Sequence, residues 1–278
     1  MLTAGVTSGT AAAHGPAVHP AAHRPSARFL TEARAALVQY LHDNHPTIML
    51  VHPGQAHATP SSGTTTATSY NWSGYADVAA TTPAFTRVSG HWTTPAVTCS
   101  SEDTITSEWV GLDGFNSPTV EQDGTLDWCF EGTATYFTWY EMYPAGTVEV
   151  GTSLQPGDSI TASVSRSGTT FALALTDFTH PSSSFVRFAS CAVNCLGTSV
   201  EWIAERPAFS IGIAPLADYG SWTLSNASET FRGTPGNIAS YPFTYKINMQ
   251  DATGSYLLSH ASGLTGGNKF TTTWLNSY

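Results

Sequence analysis

The sequence predicts an all-β sandwich of antiparallel sheets behind a leading segment of different character. Three observations carry that prediction. From Tyr70 onward, short runs of alternating apolar and polar residues, rich in Val, Thr, Tyr, Trp and Phe, recur between Gly, Pro, Asn and Asp turns, which is the period of half-buried strands. No helical repeat of useful length interrupts them. The first 69 residues have another texture, with seven of the ten histidines within the first 57 positions.

Residues 1–25 are Ala/His/Pro-rich, a composition that predicts disorder. "SARFLTEARAALVQYLHDNHP" then reads as an amphipathic helix. Ser26 stands as N-cap, Phe29, Leu30, Ala33, Leu37, Tyr40 and Leu41 recur at helical spacing, and His45-Pro46 lies just past the end. "TIMLVHP" adds one short strand, and "GQAHATPSSGTTTATS" reads as a linker of the kind proteases cut. Beyond it come "FTRVSGHWTTP", "TATYFTWYEMYP", "DSITASVSRSGTTFALALTDF", "SVEWIAERP", "SWTLSNASETF", "YKINMQ" and "YLLSHAS". About a dozen strands with tight connections predict the sandwich. The division is therefore 1–69, a His-rich prosegment with helix and linker, and 70–278, the β domain.

Only 11 % of residues are charged, against a usual share of about 25 %. Acidic groups outnumber basic ones 20 to 10, which argues against nucleic acid or anionic lipid as partner. A surface with few ionisable groups also changes little on acidification. The charge is uneven. Residues 1–69 carry +1 with neutral histidines and +8 with their seven histidines protonated, whereas residues 70–278 carry −11. A segment that turns cationic near pH 6.5, tethered to an acidic domain, reads as a pH-sensitive prosegment.

Four cysteines without a C-x-x-C spacing point to two disulfides and an oxidising, extracellular compartment. Three pairings are open. Cys191 with Cys195, flanking three residues, is preferred, which leaves Cys99 with Cys129. No apolar run approaches the roughly 20 residues of a membrane span. The opening residues lack the basic start and apolar core of a secretory signal, so a trimmed or misassigned signal is expected. Asn71 ("NWS") and Asn226 ("NAS") are glycosylation sequons that count only in a eukaryotic secretory pathway.

Four segments carry chemistry. "SEWVGLDG" (Ser107–Gly114) is followed by "TVEQDGTLDW" (Thr119–Trp128), "FTWYEMYP" (Phe137–Pro144) comes next, and "SVEWIAERP" begins at Ser199. On a strand, residues at i, i+2 and i+4 share a face. Glu201, Ile203 and Glu205 therefore point one way, as do Phe137, Trp139 and Glu141, and Trp109, Gly111 and Asp113. A face carrying indoles with carboxyl groups is poorly hydrated, which raises carboxyl pKa values. No metal-ligating constellation and no Gly-x-Ser-x-Gly elbow occurs.

From Tyr70 to the C-terminus these segments, in this order, resemble the glutamic peptidases, the eqolisin family of acid-acting secreted endopeptidases. The resemblance implies a sandwich of two long curved sheets, concanavalin- or jelly-roll-like, with a substrate cleft on one concave face. It implies a proenzyme, protein or peptide substrates, no metal and no cofactor. The family's catalytic glutamine falls on Gln122 and its glutamate on Glu205. Its supporting and cleft positions fall on Glu141, Trp109, Asp113, Trp139, Glu201 and Asp127, with one extra residue between the glutamine turn and Asp127. The implied chemistry has Glu205 as carboxylate take a proton from water, while the Gln122 amide stabilises the oxyanion. An ordinary glutamate value of about 4.3 then sets a working pH of about 3–4.5. The expected enzyme is a secreted monomer.

Each residue also has a plainer structural explanation. Gln122 before Asp123-Gly124 suits a hairpin turn, Glu205-Arg206-Pro207 suits a solvated strand end, and Trp72, Trp92 and Trp202 suit packing. His91, His180 and His260 read as surface or satisfied polar groups. Paired carboxyls beside cleft tryptophans also suit a glycosidase or a lectin-like module on a similar sandwich. Only dependence on the Gln122 amide separates peptide from sugar hydrolysis.

Overall fold

The computed structural model describes residues 63–191, 194–209 and 212–278. The expected helix over 26–45, the short strand after it and the histidine-rich stretch lie outside the described residues. Those described form eighteen strands. They are β1 (Gly63–Ser69), β2 (Trp72–Val78), β3 (Phe85–Thr93), β4 (Thr104–Leu112), β5 (Val120–Phe130) and β6 (Thr133–Tyr143). Then follow β7 (Val148–Gly151), β8 (Ser159–Ser167), β9 (Thr170–Asp177), β10 (Phe185–Ser190), β11 (Ser199–Glu205) and β12 (Ala208–Phe209). The last are β13 (Gly212–Ile213), β14 (Ser221–Phe231), β15 (Thr234–Gly236), β16 (Phe243–Gln250), β17 (Leu257–Ala261) and β18 (Phe270–Trp274). Two 3-10 turns, Pro181–Ser183 and Ile238–Ser240, are the helical elements among the described residues.

Two separate sheets are expected from sequence, but the hydrogen bonding is continuous. One path runs β10-β9-β8-β3-β14-β18-β17-β16-β2-β11-β4-β5-β6-β7, and β12 with β13 stands apart as a two-stranded ribbon. The join is β14. Its first half pairs with β18 and its second with β3, and the register slips between Ser225 and Ser228. Asn226 there adopts a φ of 52°, the left-handed region in which Asn is favoured among side-chain-bearing residues. A bulge of this kind bends and twists a strand, and it turns one layer into the next without a break in the ladder. The path folds back so that β3, β8 and β9 pack against β4, β5 and β11.

Burial follows this arrangement. β8 alternates buried and partly exposed residues, as a layer covered on one face must, whereas β4 is buried at every position. Between the layers lies one core, with Val88, Trp92, Val110, Leu112, Phe171, Leu173, Trp202 and Trp222. A second cluster, with Trp72, Trp109, Ile203, Leu126, Trp128, Phe137 and Trp139, lies on the other face of β4, β5, β6 and β11.

The segment from Gly63, read from sequence as the end of the linker, is part of the sheet. β1 runs parallel along β16, from Gly63 opposite Phe243 to Ser69 opposite Met249. Its Thr-rich run has good strand propensity, but without hydrophobic alternation only the neighbouring edge of β16 reveals it. Both preferred disulfides form, Cys99–Cys129 and Cys191–Cys195.

Candidate active site

The second cluster carries the polar groups the sequence singles out, and strand register sets them in rows. Glu201 lies opposite Gly111, Gly111 opposite Gln122 and Gln122 opposite Glu141. One step along, Ile203, Trp109, Gly124 and Trp139 form the next row. Glu205 ends β11 between Ser107 and Trp72.

Two glycines make room for the indole of Trp109. A Cβ on Gly124 would meet the Glu108 carbonyl oxygen at 2.1 Å and Trp109 Cβ at 2.7 Å. A Cβ on Gly111 would lie 2.9 Å from Trp109 Cζ3 and 3.3 Å from Gln122 Cβ. The six-membered ring of the indole therefore rests over Gly111 beside Gln122. At its other end Nε1 donates to Glu205 Oε2 at 2.8 Å. One indole thus spans from the glutamine to the glutamate.

Each of these two groups has its own holder. Glu205 Oε1 accepts from Asn71 Nδ2 at 2.9 Å. Asn71 is fully buried in the turn between β1 and β2, where Ser69 Oγ donates to its Oδ1 and accepts from the Asn71 and Trp72 backbone N–H groups. Gln122 Nε2 donates to Glu141 Oε2 at 2.6 Å, and Thr147 Oγ1 donates to Glu141 Oε1 at 2.8 Å. With Nε2 turned to Glu141, Gln122 Oε1 is left buried with no hydrogen-bond partner, and so is Trp139 Nε1 on the same face. Burying such groups unpaired costs free energy, so this face presents polar atoms suited to a ligand.

Burial pushes the Glu205 carboxyl up to about 8, opposed by the Trp109 hydrogen bond, helped by the nearby charge of Glu141 and opposed again by Asn71. Glu205 keeps part of its surface open, so a substrate can reach it. Glu141 rises to about 7, again through burial, against the hydrogen bonds from Thr147 and Gln122. The range of about 3–4.5 expected from an ordinary glutamate therefore does not follow from this site. Both carboxyls are neutral throughout it.

Gln122, Glu205, Trp109, Glu141 and Trp139 are brought to one face. Glu201 shares that face at the far end of β11, where burial raises its pKa well above the ordinary value. Asp113 is set apart. It has a φ of 66° just past β4 and braces the chain before β11, accepting from Gly197 N at 2.7 Å and Thr198 N at 2.8 Å. Asp127 is not in the cleft. It lies five residues from Gln122 on the same strand, so its side chain enters the core between the layers. There burial first, and the charge of Glu108 second, raise its pKa well above normal.

Sequence reasoning misses Asn71 and Thr147. Asn71 is read only as a glycosylation sequon, yet it is buried and holds Glu205, 134 residues away. Thr147 sits in an unremarkable "PAGT" turn, and no local pattern marks it.

Comparisons with known proteins place the chain in a family. The model of the Peptidase A4 family matches residues 70–274. Aspergillopepsin-2 of Aspergillus niger is 29 % identical over 233 residues, covering 73 % of this chain and 78 % of that protein. A solved structure of scytalido-glutamic peptidase with a transition-state analogue inhibitor superposes with a TM-score of 0.63 at 22 % identity, covering 74 % of this chain and 98 % of the other. Aspergilloglutamic peptidase from Aspergillus niger gives 0.53 at 26 % identity, covering 62 % and 99 %. The chain belongs to the Peptidase A4 family, and it is a glutamic peptidase, a hydrolase of peptide bonds.

Proposed function

We propose that the protein is a secreted endopeptidase, made as a proenzyme, that hydrolyses peptide bonds in acid through Gln122 and Glu205. The observation that carries this reading is the indole of Trp109, which links a carboxyl group and a glutamine amide across one face. A water between the two donates one hydrogen to Gln122 Oε1, which otherwise lacks a partner. The remaining Nε2 hydrogen of Gln122 points to the scissile carbonyl oxygen.

The neutral state of Glu205 in acid changes the order of proton transfers from the carboxylate-first scheme. Its O–H protonates the scissile carbonyl oxygen as the water oxygen bonds to the carbon. Its second oxygen takes the proton that the water loses. The neutral gem-diol then collapses: the C–N bond breaks, Glu205 gives its proton to the departing nitrogen, and a diol hydroxyl returns one to Glu205. No charge is left uncompensated in the buried site, where it would be costly. Glu141 fixes the amide through Nε2 and is a positioning residue.

Glu205→Gln removes the proton carrier and is expected to lower kcat by about 10²–10⁴-fold. Gln122→Ala is expected to cost about 10²–10³-fold. Digestion of an unfolded protein substrate checks both, and normal rates in either variant overturn the dyad. Rates should be flat in acid and fall as pH rises through about 7–8, where Glu141 and Glu205 ionise. Cleavage of a glycan at a rate that Gln122→Ala leaves unchanged would instead favour the sugar-directed reading.

Two disulfides and the absence, among the described residues, of any helix long and apolar enough to cross a membrane support secretion. Release of the prosegment is expected upstream of Gly63, a position supported by the pairing of β1 within the sheet and by the hydrogen bonds of Ser69 to Asn71. Mass spectrometry after acidification should find the new N-terminus at or before Gly63. A stable, active product beginning at Tyr70 would refute this placement.

A further inference from the structure

We propose that Asp158, Asp177 and His180 form a binding site for one divalent transition-metal cation of the zinc type. The three meet at the open end of the β8–β9 hairpin, outside the peptidase site. Asp158 directly precedes β8, Asp177 ends β9, and His180 introduces the Pro181–Ser183 turn. No sequence pattern announces them, since Asp158 stands 19 residues before Asp177. The hairpin register, Ile160 opposite Asp177, brings them together.

One ligand atom from each residue lies within 4.8 Å of the others. Asp158 and Asp177 are each only 1 % exposed. Nδ1 of His180 faces both oxygens of Asp158, at 2.8 and 2.9 Å. Asp177 is fixed by the backbone around it. Its Oδ1 accepts the backbone N–H groups of Thr179 and His180, both at 2.8 Å, so the carboxyl is held in one orientation. Its Oδ2 is buried, meets no N–H or hydroxyl donor, and faces the carboxyl of Asp158. Two buried carboxyls facing each other with no donor between them are an arrangement that a bound cation relieves.

The donor set chooses among cations. Two carboxylates and an imidazole give two negative charges and one nitrogen, a mixed set that suits Zn²⁺ and its transition-metal neighbours. Ca²⁺ takes six to eight oxygens, and Mg²⁺ an octahedral oxygen shell, so neither matches. Ligands of one zinc lie at about 2.0–2.2 Å from it, hence no more than roughly 4.4 Å apart, a contraction within reach of a rotation of the imidazole. His180 is 37 % exposed, which leaves the fourth position open to water. The chemistry implied is structural, tying the β8–β9 hairpin to the turn that follows it.

The test uses the full chain at pH 7, freed of metal with EDTA and then dialysed. Its heat-unfolding midpoint is read with and without Zn²⁺ or Ca²⁺, for wild type, Asp177→Asn and His180→Gln. Zn²⁺ is expected to raise the wild-type midpoint by on the order of 5–10 °C when well above its Kd. Neither variant should gain that rise, and calorimetric titration should find one zinc fewer in each. Any zinc held by the seven N-terminal histidines is common to all three proteins and cancels in the comparison. Should Asp177→Asn fail to fold, His180→Gln, altered at a partly exposed ring, decides the matter. An equal zinc response in wild type and His180→Gln, no response in wild type, or a Ca²⁺ response as large as that of Zn²⁺ overturns the proposal.

Discussion

Asn71 illustrates how a single residue tunes the site. Its Nδ2 and the indole N–H of Trp109 both favour the ionised form of Glu205, while burial opposes them more strongly. Replacing Asn71 with Ala removes one donor and leaves the carboxyl freer to rotate. With Glu205 neutral in acid, the lost hydrogen bond is worth about 0.5–1.5 kcal/mol, so kcat/KM should fall by roughly 2- to 10-fold. The sign of the second effect follows from the first. Losing a donor to the anion raises the Glu205 pKa further, so the alkaline limb of the pH–rate profile should move upward even as the rate falls. A limb that moves downward, or an unchanged rate, would contradict this role for Asn71.

At the scale of elements, β4 and β5 matter most because they carry both faces of the central layer. Gly111 is the position where strand geometry and site geometry meet, since nothing larger fits under the Trp109 ring. Gly111→Ala would displace either the indole or Gln122 by several tenths of an ångström. Overpacking of this sort costs about 1–3 kcal/mol. Misplacement approaching 1 Å costs on the order of 10²-fold in rate. The expectation is a folded variant, with a modest loss in urea midpoint and a much larger loss in kcat. If kcat survives while stability falls, the indole is packing alone and does not align the dyad.

Across the whole molecule, the sequence's scarcity of charge hides an unusual set of buried acids. Burial raises Asp77, Glu108, Glu121, Asp123, Asp127, Glu141, Glu201, Glu205 and Glu229 above their ordinary values. Asp77 with Glu229 and Glu108 with Asp127 are like-charged pairs as well. The sign of the linkage is therefore opposite to that of ordinary acid unfolding. A carboxyl raised in the folded state contributes its full stability below its unfolded value of about 4 and loses it as pH rises through the folded value, at about 1.4 kcal/mol per pH unit between the two. For Glu108 and Glu121 the folded value is about 8. The urea midpoint should be highest near pH 4 and decline steadily toward pH 8. Glu108→Gln should flatten that decline by removing one ionisation. A midpoint that instead climbs between pH 4 and 8 would mean that these groups are not buried as described.

Alternation along "SEWVGLDG", "FTWYEMYP" and "SVEWIAE" determined which residues share a face, because a strand's period of two is a local property of the backbone. The same alternation between turn residues, with no helical repeat beside it, set the all-β class, and spacing favoured the two disulfides. Tertiary structure decided what local pattern cannot encode. It turned the face of β5 that carries Asp127, opposite by strand parity to that of Gln122, into the inter-layer core. It drew residues 63–69 into the sheet through the free edge of β16, and it joined two expected sheets through the bulge in β14. It also placed Asn71 against Glu205 and Asp158 against Asp177. Contacts of that kind depend on which strands become neighbours, and that choice belongs to the packing of the whole chain.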